Sequence, residues 1–478
     1  MRHRAGLLVI AVSFAFAATG AGADVTVSSD PTSNITCSSG VCAPSATDAV
    51  LNVGDLETML ASGNVEVTTT GSGVQANNID IGARLSWSSP NALALDAYDS
   101  IAVAAKVSVK GRGGLALTTN DGGSGGTLSF GAEGGVTFRH LSSQLVINGA
   151  TYRLVNTVQS LADTVRANPK GNYALASSYD ASGLTQYSPP SSLAGTVEGL
   201  GNTISNLTVT PRGLFVDGLV TEIEASGRME NIGLANVRVS VPGAKNMSYL
   251  LGGLASNNYG MLFGDRVTGR VAASGFASVG GLVGYNFGTI AGSFSKAQVK
   301  TTQGWVGGLA AVNEGAITGS YASGSVTSGR QGYAGGLVGG NLGSITDSYA
   351  AGPVTGERRA FEAGGFIGWN GGGNTPTLVS SSYSTGQVGR ANDGGGFIGL
   401  NGGNASANAS GVTDCDWDTT TSGTETGVGS GPDAGLTGLT TQQFQAGLPT
   451  GFNPVIWAEN PKINGGFPYL IANPPVKK

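Results

Sequence analysis

Short runs of alternating apolar and polar residues, broken by glycine, fill most of the chain. In SIAVAAKVSV, Ile101, Val103, Ala105, Val107 and Val109 share one face of a period-two pattern. GGLALTT and GTLSFG repeat that parity between turns such as NDGGSGG. Period two predicts half-buried strands joined by tight turns. Two stretches depart from it. VGDLETMLASG (53–63) reads as a short amphipathic helix ended by glycine. TVQSLADTVRAN places Val158, Leu161 and Val165 on one helical face, and Asn168-Pro169 stops it, because a residue before proline is steered out of the helical region. Strand patterns resume at GTVEGLGNTISNLTV and MENIGLANVRVSV.

From residue 252 the pattern becomes a repeat. Gly–Gly followed by Leu or Phe starts at 252, 280, 307, 335, 364 and 395, so successive units are 27 to 31 residues long. Six places on stands an asparagine: Asn258, Asn286, Asn313, Asn341, Asn370 and Asn401. Eight places on stands a glycine: Gly260, Gly288, Gly315, Gly343, Gly372 and Gly403. Valine closes the first five units at Val271, Val299, Val326, Val354 and Val388. A unit this short, without helical periodicity, cannot bury its own core and must stack on its neighbours. Parallel coils about 4.8 Å apart would bury Leu282, Ile290 and Val299 against their equivalents. Glycines would supply positive φ at corners and close backbone approach. The asparagines would stack as an amide ladder, each donating to the next.

The motif G-G-[LF]-x-x-x-N-x-G, with the later pairs Ser293-Phe294, Ser320-Tyr321 and Ser348-Tyr349, resembles the GLUG-motif repeat of bacterial exported proteins. GNYALASSYDASG upstream and DWDTTTSG, GLTGLTTQQF and INGGFPYL downstream resemble the flanks of such arrays. Residues 80–150, as in SWSSPNALALDAYDSIAVAA, resemble more loosely the N-terminal part of filamentous-haemagglutinin-type exoproteins. The resemblance implies an all-β fold, a single right-handed parallel β-helix, in a secreted or surface-displayed protein. Two departures stand out: Asp265-Arg266 replaces the Ser-aromatic pair of the first unit, and the last unit dissolves after Asn401.

Composition agrees with that reading. Of 478 residues 81 are glycine and only 12% are charged, yet 40% are hydrophobic, too many for a disordered chain. The net charge of −5 supplies no basic footprint for nucleic acid or an anionic membrane. Arg2 and Arg4, the apolar run Ala5–Ala18 and Ala21-Gly22-Ala23 read as a cleavable export signal; the run is short for a membrane anchor. Export permits disulfides, and Cys37 and Cys42 could close a small loop, leaving Cys415 over.

Candidate chemistry is sparse. After signal removal one histidine remains, His140, at an expected strand edge or turn. The G-x-S-x-G match at Gly122–Gly126 falls in the turn NDGGSGG, with no helical pattern after it, and supplies no nucleophile elbow for a Ser-His-acid triad. H-E-x-x-H is absent too, so the zinc peptidase activity that accompanies similar coils in some immunoglobulin A-cleaving enzymes is not carried over. A pectin-type lyase or hydrolase, the enzymatic alternative, needs several carboxylates or a basic residue on one face. The repeats offer Asp347, Glu314 and the cluster Glu357-Arg358-Arg359, which reads as a solvated turn. In DCDWDTTTSGTE, Asp414, Asp416, Asp418, Ser422 and Glu425 match calcium-loop positions, but Thr419 stands where that loop requires glycine, so a cap segment is favoured.

The expected layout is a signal (1–23), an N-terminal segment with a helical cap (24–64), β-helix coils (65–150), a helix insertion and further coils (151–251), the repeats (252–410) and an irregular C-terminal cap (411–478). The expected function is that of an exported, non-enzymatic adhesive protein. It would be secreted or on the cell surface, or else periplasmic, and would present an extended surface to an extracellular protein or glycan. An outer-membrane secretion partner is a further expectation. No catalytic residue, metal or cofactor is expected.

Overall fold

The computed structural model describes residues 24–210, 216–241, 248–329, 332–356, 362–371, 377–389, 393–402, 411–432 and 435–475. The export signal, Gly372, Gly403 and the Glu357–Arg359 cluster lie outside them.

The chain is a parallel β-solenoid of about 13 turns. Strand pairing begins earlier and ends later than the coils expected over 65–410: Val25–Ser28 already pairs in parallel with Ala49–Asn52 and Ile79–Ile81, and Leu436–Leu439 still pairs with Gly411–Asp418. Both expected helices form. Helix α1 (Val53–Ser62) buries Leu56 and Leu60 and is capped by Asn52, whose side chain accepts from the amides of Gly54 and Asp55. Helix α2 (Val158–Ala167) starts in a capping box of Thr157 and Ser160. SIAVAAKVSV is not one strand. Ile101–Val103 and Lys106–Val109 belong to different sheets, and Ala105 turns the corner between them instead of entering the core. Cys37 and Cys42 are bridged across an antiparallel pair of short strands, and Cys415 is free and buried.

Inside the repeats every coil meets the next in register. Val271, Val299, Val326 and Val354 pair in turn, as do Leu262, Ile290, Ile317, Ile345 and Val379. The asparagines form the expected ladder. Each Nδ2 donates to the next Oδ1, from Asn258 through Asn286, Asn313, Asn341 and Asn370 to Asn401, at 2.7, 2.8, 2.9, 3.0 and 3.1 Å. The last rung donates to Pro432 O at 2.7 Å. A second ladder runs through the serines. The amides of Ser293, Ser320 and Ser348 donate to Ser320, Ser348 and Ser382 Oγ at 3.1, 3.2 and 3.1 Å. Each of these hydroxyls donates in turn to the carbonyl two residues before it. The Gly–Gly pairs serve close approach and not positive φ: a Cβ on Gly281, Gly308 or Gly336 would stand 2.1–2.2 Å from the carbonyl oxygen of the coil above. Left-handed backbone falls instead just before the ladder serine, at Gly292, Gly319, Asp347 and Ser381.

The two halves of the solenoid join through a reversal. Leu145–Ile147 is parallel to Leu115–Thr118 before it but antiparallel to Ala150–Val155 after it. Ala150–Val155 then opens a parallel series with Asn172–Leu175 and Thr196–Glu198. At this seam the core changes sides. Leu145, Ile147, Leu154 and Ala174 face the N-terminal core, whereas Val155, Leu175 and Val197 face the C-terminal one. Consecutive residues Leu154 and Val155 thus belong to different cores. The open end of the N-terminal coils is closed by the first C-terminal ones: the amides of Phe138 and Val136 donate to Ala176 O and Leu200 O, and Asn202 Nδ2 donates to Val136 O.

That closure buries acids. Glu198 is held by the Leu200 amide at 2.7 Å and by Asn231, yet burial, with Glu230 nearby, drives its carboxyl well above the usual range. Asp265 occupies the first rung of the serine ladder. Its Oδ1 accepts from the Ile232 amide at 3.0 Å, Oδ2 has no hydrogen-bond partner among the described residues, and burial drives this carboxyl well above its usual range as well.

Two outcomes follow from these ladders. Asn313→Ala removes the acceptor of Asn286 and the donor to Asn341, whereas Asn258→Ala, at the first rung, strands only Asn286. Loss of stability of about 1–3 kcal/mol is expected for Asn313→Ala and less for Asn258→Ala; equal shifts in denaturation midpoint would remove the ladder from the account. Asp265→Ser installs the hydroxyl of the other rungs. An acid whose folded pKa is raised stabilises the fold only at low pH, and the contribution is lost as pH rises from the unfolded value, about 3.9, through the folded one. Asp265→Ser should therefore gain on the wild type between pH 4 and pH 8, and a pH-independent difference in midpoint would contradict this.

Candidate functional site

The residue after each ladder serine points outward from the sheet. In four successive coils it is aromatic, and Phe294, Tyr321, Tyr349 and Tyr383 stack face to face with centroids 4.8, 4.7 and 5.1 Å apart. This apolar stripe is not left to solvent. After Leu439 the chain turns back through the short helix α4 (Thr441–Phe444, which follows the one-turn α3, Thr419–Ser422) and runs down the flank as a strap. Phe444, Phe452, Trp457 and Leu470 are buried against the stripe. Polar contacts fix its register. Trp457 Nε1 donates to Asp347 Oδ1 at 3.2 Å, Tyr383 OH donates to Pro468 O, and Asn473 Nδ2 donates to Gly319 O at 3.1 Å.

In the last coil the pattern changes. Strand Gly411–Asp418 pairs with Leu378–Ser384 so that Cys415 stands opposite Ser382 and Asp416 opposite Tyr383. A carboxylate thus takes the place where the aromatic stack would continue, and the strap arches past it. The space left is a cavity of about 420 Å³, lined by Asp414 and Asp416, by Leu436, Leu448 and Pro449, and by Gln443 among others. Asp414 is in the left-handed region at φ 51°, as Asp347 and Ser381 are in the coils before it. Asp416 is 5% exposed, and its Oδ2 has no hydrogen-bond partner among the described residues. Burial, reinforced by the negative charge of Asp414, pushes its carboxyl up to about 7.

The calcium-loop residues are dispersed by the fold. Asp414 and Asp416 line the cavity. Asp418 caps α3: Oδ1 accepts from the amides of Thr420 and Thr421, and Oδ2 accepts from the Thr441 hydroxyl at 2.6 Å. Glu425 is exposed in the loop beyond. Among the described residues no group of three His, Cys, Asp or Glu side chains is placed to hold a metal ion. His140 lies in the turn after strand Gly135–Phe138, Glu314 is exposed, and Asp347 is an acceptor for the strap, so these do not converge. Sequence reasoning missed the cavity. The available signal was the substitution of Asp416 for the recurring aromatic, but its meaning depended on the strap.

Three comparisons bear on the chain. The model of the GLUG motif matches residues 331–355. Halomucin of Haloquadratum walsbyi (strain DSM 16790 / HBSQ001) is 40% identical over 90 residues, which are 19% of this chain and 1% of that protein. The chain therefore spans about one hundredth of the length of that curated relative. A solved structure from Bacteroides ovatus, provisionally assigned as an immunoglobulin A1 protease, superposes with a TM-score of 0.44 at 15% identity, covering 68% of this chain and 92% of that one. Likeness of that degree assigns no activity. The chain is thus a solenoid that carries the GLUG motif. Among the described residues no helix is long and apolar enough to cross a membrane.

The strap gives a prediction of its own. Trp457 is 1% exposed against the tyrosine stack. Trp457→Ala should weaken strap docking by about 3–5 kcal/mol. Proteolysis after residue 440 should accelerate while the β-sheet signal of the solenoid persists. Unchanged protection of the strap would show that the aromatic stripe does not hold it.

Proposed function

We propose that this chain is an exported, non-enzymatic rod that displays an extended surface to a protein or glycan partner outside the cell. The observation that supports it most is the stacking of parallel coils on both sides of the seam, from Val25 to the strand before it and from Ala150 to Leu439. The recurring amides and hydroxyls are consumed by their own ladders, so recognition falls to outward-facing side chains repeated along the length. About 13 turns at about 4.8 Å each give a face on the order of 60 Å long. Modest contacts spaced along such a face combine through effective concentration. A second reading, a polysaccharide-cleaving solenoid, is favoured by one feature: Asp416, a carboxyl pushed up to about 7, is suited to donate a proton at neutral pH.

The test is deletion of residues 307–334. Gly304–Gly307 pairs in register with Gly332–Gly335, so the cut rejoins equivalent points of adjacent coils. The shortened rod should keep its β-sheet circular dichroism, and binding to cells or extracellular matrix should weaken several-fold without vanishing. The strap should loosen, because Gly319, one of its anchors, is removed. A folded deletion that lost all binding would place the site within one coil and end the distributed-surface reading. Polysaccharide cleavage abolished by Asp416→Asn would put the enzymatic reading in its place.

A further inference from the structure

We propose that the cavity between the last coil and the strap receives the basic side chain, lysine or arginine, of a protein partner. This deepens the extended-surface reading by naming the chemistry of one anchoring contact on it. The argument starts from charge. Among the described residues lining the cavity two are acidic, Asp414 and Asp416, and none is basic. Asp416 is almost wholly buried, and Oδ2 is without a hydrogen-bond partner among the described residues. A buried carboxylate with an unused oxygen is unfavourable unless a cation or donor reaches it. Nothing among the lining residues supplies one. The third acid of the segment, Asp418, is already committed to capping α3 and to Thr441.

Shape selects the kind of cation. A volume of about 420 Å³ far exceeds one ion and falls in the range of small-molecule pockets. Its walls include Leu436, Leu439, Leu448 and Pro449, apolar surface against which a methylene stem packs while the charged head meets the carboxylates. A divalent metal is less suited, because among the described residues no group of three His, Cys, Asp or Glu side chains is placed to hold one. A neutral sugar would leave the acidic pair without a countercharge. The position also fits a displayed surface, since the cavity opens beside the strap at the C-terminal end of the stripe.

The experiment titrates the full-length protein with n-butylguanidinium and n-butylammonium chlorides, followed by calorimetry or by NMR shifts. Calcium chloride and methyl glucoside serve as competing probes. Saturable binding of the organic cations is expected, at least tenfold weaker in Asp416→Asn, whose amide keeps the shape and removes the charge. Asp414 and Asp416 are the titratable groups among the described residues lining the cavity, and Tyr383 faces Asp416 from the preceding coil. With the Asp416 carboxyl at about 7, affinity of the wild type should rise about tenfold from pH 6 to pH 8. That pH profile needs no variant, so the test survives if Asp416→Asn misfolds. Binding of calcium or methyl glucoside alone, no binding of either cation, or equal affinity in Asp416→Asn would overturn the proposal. Cell adhesion is a separate measurement: a cavity that binds cations in a protein that does not adhere sinks the extended-surface reading and leaves the cavity assignment standing.

Discussion

Parallel strands stacked in register force each side chain to lie against its own equivalent one coil away, and the rest of this structure depends on that constraint. A position that stacks on itself must tolerate itself at about 4.8 Å. Apolar residues do so by burial, as in the file of Leu262, Ile290, Ile317 and Ile345. Aromatic rings do so face to face. Charged residues do so at a cost in a dry interior, where like charges are repeated at the same spacing, and Glu198 opposite Glu230 carries a raised carboxyl for that reason. Asparagine and serine do so without that cost, because each is donor and acceptor at once and passes a hydrogen bond along the column. The low charge of the chain and its choice of asparagine over aspartate are both consequences of stacking.

Chemistry is therefore found where stacking stops. At the first rung of the serine ladder Asp265 replaces serine, and at the last Cys415 does. At the end of the aromatic stripe Asp416 replaces a ring. Each exchange would be penalised inside the column, where a carboxylate would meet another carboxylate or an aromatic face on both sides. At an end it meets one neighbour only, and the other side is free to accommodate a strap, a junction or a ligand. The raised carboxyls of Asp265 and Asp416 belong to such ends, whereas that of Glu198 lies within the stack, between Ala174 and Glu230.

The same logic explains what could be read from the sequence. Stacking in register leaves a periodic trace, so the repeats, the asparagine ladder, the buried valines and the parallel architecture were legible from spacing. Helices α1 and α2 were legible because local caps and a proline mark them. The Gly–Gly pairs were placed correctly but given partly the wrong cause, because a requirement for space and a requirement for positive φ select the same residue. Ala105 was drawn into a single strand because alternation continued across a corner that period two does not register. The strap and the cavity left no periodic trace at all. They arise from contacts between residues such as Trp457 and Asp347, more than a hundred positions apart, with no partner above or below to echo them.

The seam at residues 145–155 shows how one chain can reverse its strands and remain one kind of solenoid. Reversing strand direction while advancing along the same sheet would invert the sense of winding if the core stayed on the same face. Here the core moves to the opposite face in the same step, between Leu154 and Val155. The two inversions cancel, and both halves wind alike, as the strong preference for one hand in parallel crossovers requires. The cost is that the N-terminal core is left open where the chain departs from it. Coils from the other half must close that end, and the polar groups that do so, Asn202, Asn231 and Glu198, are themselves buried away from the ladders.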